Sequence, residues 1–162
     1  MVAAVDPSAE APTVIARRCG ADTYRSLDEA LVGGDFDAVD IMVPHDLHED
    51  IAIRAFAAGK HVLLEKSMAR TLAGCARIQA AADAAGSSFM VAENSQYWPD
   101  VVMARSLLEA GEIGEVITAR AAFQAPFDPF WYPPDSWRFE LSRAGGGVVI
   151  DGGAHWIRPL CM

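Results

Sequence analysis

Three things are scarce in this chain, and each narrows what it can be. Cysteine is the first: Cys19, Cys75 and Cys161 are odd in number and far apart, with no CxxC or metal-type spacing. That argues against a disulfide scaffold and fits reduced thiols in a cytoplasmic protein. Positive charge is the second. Lys and Arg total 13 against 22 Asp and Glu, a net charge of −9. Such an acidic balance argues against nucleic acid as a partner, because phosphates need cationic side chains. The third is long apolar runs. None approaches the roughly 18 residues that span a bilayer, and no basic stretch leads into an apolar one as in a secretory signal. The expectation is a protein without a membrane partner.

What is present is ordinary for a globular fold. The 162 residues are 52% hydrophobic and 22% charged, enough for a proper core and too apolar for disorder. The chain opens into an apolar run, Val2 to Val5, and stops at Met162 inside a helical pattern, which reads as a fragment. Strand and helix signals alternate as far as Ala92. Val2–Val5, Ala38–Val43, Val62–Leu64 and Phe89–Ala92 read as short strands. Between them lie helices from Ser8 to Arg18, from the capping-box pattern Ser26–Glu29 to Val32, from Glu49 to Ala58 and from Thr71 to Ala85. Gly20, Gly59 and Gly86 stand where helices should stop. Such alternation predicts an α/β fold, a parallel sheet with helices on both faces. The rhythm changes near Tyr97. A helix from Asp100 to Ala110 follows, and Val116 to Phe123 reads as the first strand of an antiparallel sheet. The division is therefore 1–97 as a partial dinucleotide-type domain and 98–162 as the start of an α+β domain.

The charges that need explaining sit at strand ends. Gly59-Lys60-His61-Val62-Leu63-Leu64-Glu65-Lys66-Ser67 is turn, buried strand, then two charges at the carboxyl end. Ligands bind at that end of open α/β sheets, although a solvated strand terminus has the same look. Asp6, after the first strand, suits the acid that bonds the ribose of a dinucleotide, or else an ordinary turn aspartate. The glycine-rich GxGxxG unit that should precede it, on the order of 30 residues, does not occur in this sequence. His45 and His48 have an HxxH spacing, but no third metal ligand is evident, so no metal is expected. Asp151 and His155 share a face if their segment is one helix, and could be a catalytic or a merely structural pair. The aromatic stretch Phe127–Phe139 could flank a sugar ring or pack on itself.

Several of these segments together resemble one family. The run from Ala58 to Lys66 is similar to the "aGKHVLxEKP" motif of the Gfo/Idh/MocA oxidoreductases, departing at Ser67 where proline is usual. Proline makes a cis peptide bond accessible, which serine does not. Pro44 and His48 match a "tPnxxH" segment, with His45 where asparagine is common. Glu93-Asn94 onward is similar to "vxxNxRxxP" without its arginine, and Glu112–Val116 to "GxIGxv". Trp137-Arg138 and Gly145–His155 resemble "WR" and "GGGxxxDxGxH".

The resemblance implies an incomplete Rossmann-type sheet and an NAD(P)-dependent oxidoreductase acting on a sugar, polyol or related hydroxy compound. It implies Lys66, Asp151 and His155 as catalytic residues. Around the cofactor it implies Asp6, Pro44, His45, His48, Glu65, Lys66, Asn94, Trp137 and Arg138. An acid at Asp6 favours NAD over NADP. The whole protein is then expected to be a cytoplasmic homo-oligomer with a small sugar-like substrate. Two alternatives accompany this reading: a non-catalytic dinucleotide-binding regulator, and an inactive fragment.

Overall fold

The computed structural model describes residues 1–8, 10–124, 128–130 and 132–162, and the side chains at 11–13 lie outside that description. Among the described residues, five short strands all pair in parallel. β1 (Ala3–Val5) pairs with β2 (Asp22–Tyr24), with Ala4 opposite Thr23. β3 (Ala38–Ile41), β4 (His61–Leu64) and β5 (Phe89–Val91) form a second sheet in that order. Its register sets Ile41 opposite Leu64 and Leu64 opposite Val91. Helices α1 (Ala11–Cys19), α2 (Leu27–Gly33), α3 (His45–Ala57) and α4 (Leu72–Ala85) connect the strands, giving an α/β fold with parallel sheets of Rossmann type. Among the described residues no helix is long and apolar enough to cross a membrane.

Local chemistry explains most boundaries. Ser26 Oγ accepts from Glu29 N at 3.2 Å, while Glu29 Oε2 accepts from Arg25 N at 2.9 Å. This is a capping box displaced by one residue on its return bond. Thr71 Oγ1 caps α4 by accepting from Gly74 N at 3.0 Å. α3 ends in a Schellman turn: Gly59 N donates to Phe56 O at 2.8 Å, and Lys60 N to Ala55 O at 3.0 Å. Gly59 takes φ +70°, a conformation a Cβ would disfavour.

The core lies between the second sheet and helices α3 and α4. Ile41, Ala52, Ala55, Phe56, Val62, Leu64, Ile78 and Ala82 form it. Strand alternation aims Val62 and Leu64 inward and Leu63 outward. Phe56 is 2% exposed and meets Phe89 edge-on, with ring centroids 5.5 Å apart. Phe56→Ala is expected to cost about 3–5 kcal/mol, read as a fall in the urea midpoint with an unchanged slope.

Some sequence expectations are corrected. β2 was not foreseen; its residues Asp-Thr-Tyr carry almost no apolar signal. α1 starts three residues later than Ser8. α3 starts at His45 rather than Glu49, because Pro44 pre-sets the turn into the helix. The antiparallel strand over 116–123 does not form. Those residues are irregular, Ile117 is 94% exposed, and no described strand lies beside them. A strand without a partner leaves its backbone groups to water and gains nothing from the extended form. Beyond β5 the described residues form helices α5 (Pro99–Glu109), α6 (Leu141–Ala144), α7 (Val148–Asp151) and α8 (Ala154–Leu160), with 3₁₀ turns at Ser95–Tyr97 and Trp137–Phe139. Of the aromatic stretch, Phe127 and Trp131 lie outside the described residues.

Candidate active site

The loop after β4 is where the two halves of the chain meet. Glu65 N donates to Ile41 O at 3.0 Å, carrying the ladder one residue past the strand, and its own carboxylate Oε2 accepts from Lys66 N at 3.0 Å. The Lys66–Ser67 peptide bond is cis. Lys66 Nζ then reaches the end of α7. It donates to the main-chain oxygen of Asp151 and to Asp151 Oδ1, the latter at 3.1 Å. Ser67 Oγ donates to Ile150 O beside it.

Asp151 is a hub. Its Oδ2 accepts from Arg138 Nε at 3.2 Å and from Tyr132 OH at 3.3 Å. The Lys66 and Asp151 side chains are only 17% and 15% exposed. Burial pushes the Asp151 carboxyl upward in pKa, but Lys66 and Arg138 more than offset it and hold the group below its ordinary value. Burial and the same Asp151 charge push the Tyr132 phenol up. Arg138 is flanked by the Trp137 ring at 4.5 Å and the Tyr132 ring at 5.9 Å.

Asp151 and His155 do not share one helix face. α7 ends at Asp151 and α8 begins at Ala154, so Gly152-Gly153 interrupt the expected helix. Gly153 also packs too tightly for a side chain: a Cβ there would lie 2.2 Å from Val149 O. The break lets the two residues find separate partners. His155 Nδ1 pairs with Glu93 Oε1 at 2.9 Å, just past β5. Burial raises the Glu93 carboxyl, while His155 and Ser95 more than compensate and leave it lowered.

His45 and His48 sit beneath this loop. His48 is fully buried, and each ring nitrogen lies 2.9 Å from a carbonyl oxygen, Nδ1 from Ser67 and Nε2 from Val43. Burial pushes its pKa down against the pull of those carbonyls. His45 Nδ1 lies 2.9 Å from Ala144 O, and its ring meets Trp137 edge-on at 4.7 Å. Both histidines therefore contact the cluster from below, joining α3 to α6 and to the Lys66 loop.

The remaining residues singled out from the sequence lie at strand ends. Asp6 follows β1 and accepts from Ser8 N at 2.7 Å; Pro44 leads into α3; Asn94 is exposed at the start of the 3₁₀ turn after β5. Asp6 belongs to the other sheet from Lys66. Tyr132, Glu93 and Gln96 were not foreseen as site residues. Gln96 stands where the motif has arginine, and its Oε1 accepts from Arg158 Nε and Nη2 at 3.2 and 2.7 Å. The missing arginine was the one signal that a compensating partner lay elsewhere. Among the described residues no group of three His, Cys, Asp or Glu is gathered to hold a metal.

The NAD-binding Rossmann domain of the oxidoreductase family GFO_IDH_MocA matches residues 1–93, and the GFO/IDH/MocA C-terminal domain matches residues 101–162. The chain is 35% identical over 143 residues to a levoglucosan dehydrogenase of Pseudarthrobacter phenanthrenivorans, covering 88% of this chain and 37% of that protein. It is 34% identical over 161 residues to a 1,5-anhydro-D-fructose reductase of Ensifer adhaerens, covering 96% of this chain and 46% of that one. An NAD-binding protein from Listeria innocua superposes with a TM-score of 0.79 at 29% identity, over 99% of this chain and 46% of that one. The chain thus spans less than half the length of these relatives. Two family domains matched in order, over nearly the whole chain, show that it belongs to the Gfo/Idh/MocA oxidoreductase family.

Proposed function

We propose that the whole protein is an NAD-dependent oxidoreductase of a sugar, polyol or related hydroxy compound, with its chemistry at Lys66, Asp151 and His155. The observation that carries this reading is the Lys66–Asp151 pair. A lysine at the carboxyl end of a parallel strand is held by a carboxylate 85 residues away, with both side chains largely withdrawn from water. Building such a pair costs desolvation that a purely structural contact does not need.

The residues present suit a dinucleotide. Asp6, Glu65 and Asn94 follow β1, β4 and β5, at the carboxyl ends where parallel sheets take such ligands. Asp6 would bond the adenosine ribose, and Glu65, Lys66, Asn94 and the loop at Pro44 would hold the nicotinamide half. His48 and Arg138 support that wall through Ser67 and Asp151, and His45 and Trp137 pack on each other beside Arg138. A bound nicotinamide supplies the hydride acceptor or donor. The chain's own task is the proton. His155 removes it from the substrate hydroxyl, and Lys66 hydrogen-bonds the same oxygen, kept in place by Asp151.

The test is turnover of the whole protein with NAD⁺ or NADP⁺ against a panel of sugars and polyols, read by cofactor absorbance. NAD⁺-dependent oxidation of at least one sugar class is expected. Calorimetric NAD binding with no turnover of any compound would instead make the protein a dinucleotide-binding regulator.

A further inference from the structure

Glu93 is absent from the chemistry assigned above, yet it is the partner of the residue that moves the proton. Its side chain is 12% exposed. Oε1 accepts from Ser95 N at 2.7 Å and lies 2.9 Å from His155 Nδ1. Oε2 is buried with no hydrogen-bond partner among the described residues. The same turn grips α8 a second time: Gln96 Nε2 donates to Glu93 O at 3.1 Å, and Gln96 Oε1 takes Arg158. Trp98 lies beside the imidazole, its ring tilted by 33° with centroids 5.7 Å apart. The histidine is therefore held by a carboxylate on one edge, with an indole packed alongside.

An ionised carboxylate has no proton to give, so a ring nitrogen bonded to it must carry the hydrogen. In a neutral imidazole that leaves the lone pair on the opposite nitrogen. We propose that Glu93 is the positioning residue of this site, holding His155 as the Nδ1–H tautomer so that Nε2 faces the substrate as proton acceptor. The inference rests on His155 being the base. In the oxidation direction the substrate O–H bond breaks and an Nε2–H bond forms. The C–H electron pair leaves as hydride to the nicotinamide cofactor, and a C=O bond forms. The ring becomes an imidazolium with both nitrogens protonated, and Glu93, still ionised, offsets its charge.

Two substitutions and one spectrum test this. Oε1 alone receives both N–H donors. Glutamine can therefore set its carbonyl oxygen there and keep the tautomer, whereas alanine cannot. In the whole protein, Glu93→Ala is expected to lower kcat about 10²-fold, the lower end of a general base's worth, with KM for cofactor and sugar little changed. Glu93→Gln should recover most of that loss. Histidine-ring ¹⁵N spectra without cofactor should show neutral His155 as Nδ1–H in the wild type and in Glu93→Gln, and as Nε2–H in Glu93→Ala. A wild-type Nε2–H tautomer, or a Glu93→Ala enzyme with undiminished kcat, would overturn the proposal. The base assignment is judged separately: it falls if His155→Ala keeps normal turnover. The wild-type spectrum needs no variant to fold and does not depend on activity.

Discussion

Lys66→Ala is expected to lower turnover of the whole protein by about 10³-fold, within the span of a positioned acid or base, and by far more than it weakens cofactor binding. Lys66 is the only described side chain that links the end of β4 to Asp151 through a charged hydrogen bond. Truncation removes the donor nearest the proposed hydroxyl and leaves Asp151 with Arg138 and Tyr132 alone. Lys66→Arg should be nearly as slow. Guanidinium keeps the charge but holds a carboxylate through a planar fork, in a different geometry from a single ammonium. Steady-state kinetics beside calorimetric titration with NAD separates the two effects. Normal turnover in Lys66→Ala would remove this residue from the chemistry.

The second large effect belongs to Asp151. Asp151→Ala should destabilise the fold by about 2–3 kcal/mol, just below the usual range for breaking a buried pair, because Arg138 is partly exposed. Turnover should fall with it, since Lys66 loses the group that holds it. The carboxyl pKa is lowered in the folded state, from an ordinary value of 3.8. Its stabilisation is therefore fully present above that value and is lost as pH falls through the lower folded one. Urea midpoints of wild type and variant should differ most near pH 7 and converge at acid pH, below about 4. An equal gap at both would mean that charge is not what Asp151 contributes.

The legible parts of the fold are those with local causes. Ser26 and Thr71 announce helix starts because a hydroxyl caps an N–H three residues on, and Gly20, Gly59 and Gly86 announce stops because φ is positive there. Ile41, Val62 and Leu64 announce a buried sheet by alternation or by continuous apolar runs. Elsewhere local signals are absent or mislead. β2 is polar and exists through its pairing with β1. The stretch 116–123 alternates partly, but no described strand pairs with it. For Asp151 and His155 a shared face depends on one continuous helix, and the two glycines between them separate α7 from α8.

By itself, then, the sequence determined the alternation of strand and helix, the carboxyl-end location of Asp6, Glu65, Lys66 and Asn94, and the motifs that carry the family likeness. Caps, turns and periodicity act over a few residues, so a linear reading captures them. The tertiary structure decided the partnerships. Lys66 meets Asp151 across 85 positions and His155 meets Glu93 across 62. The Glu93–His155 pairing appears only there, because nothing local marks one carboxylate as a histidine's partner. Such pairs are selected by which groups the packed elements bring within hydrogen-bonding distance while excluding water. That is a property of the folded chain, in which an unpaired buried charge is costly and a paired one holds its place.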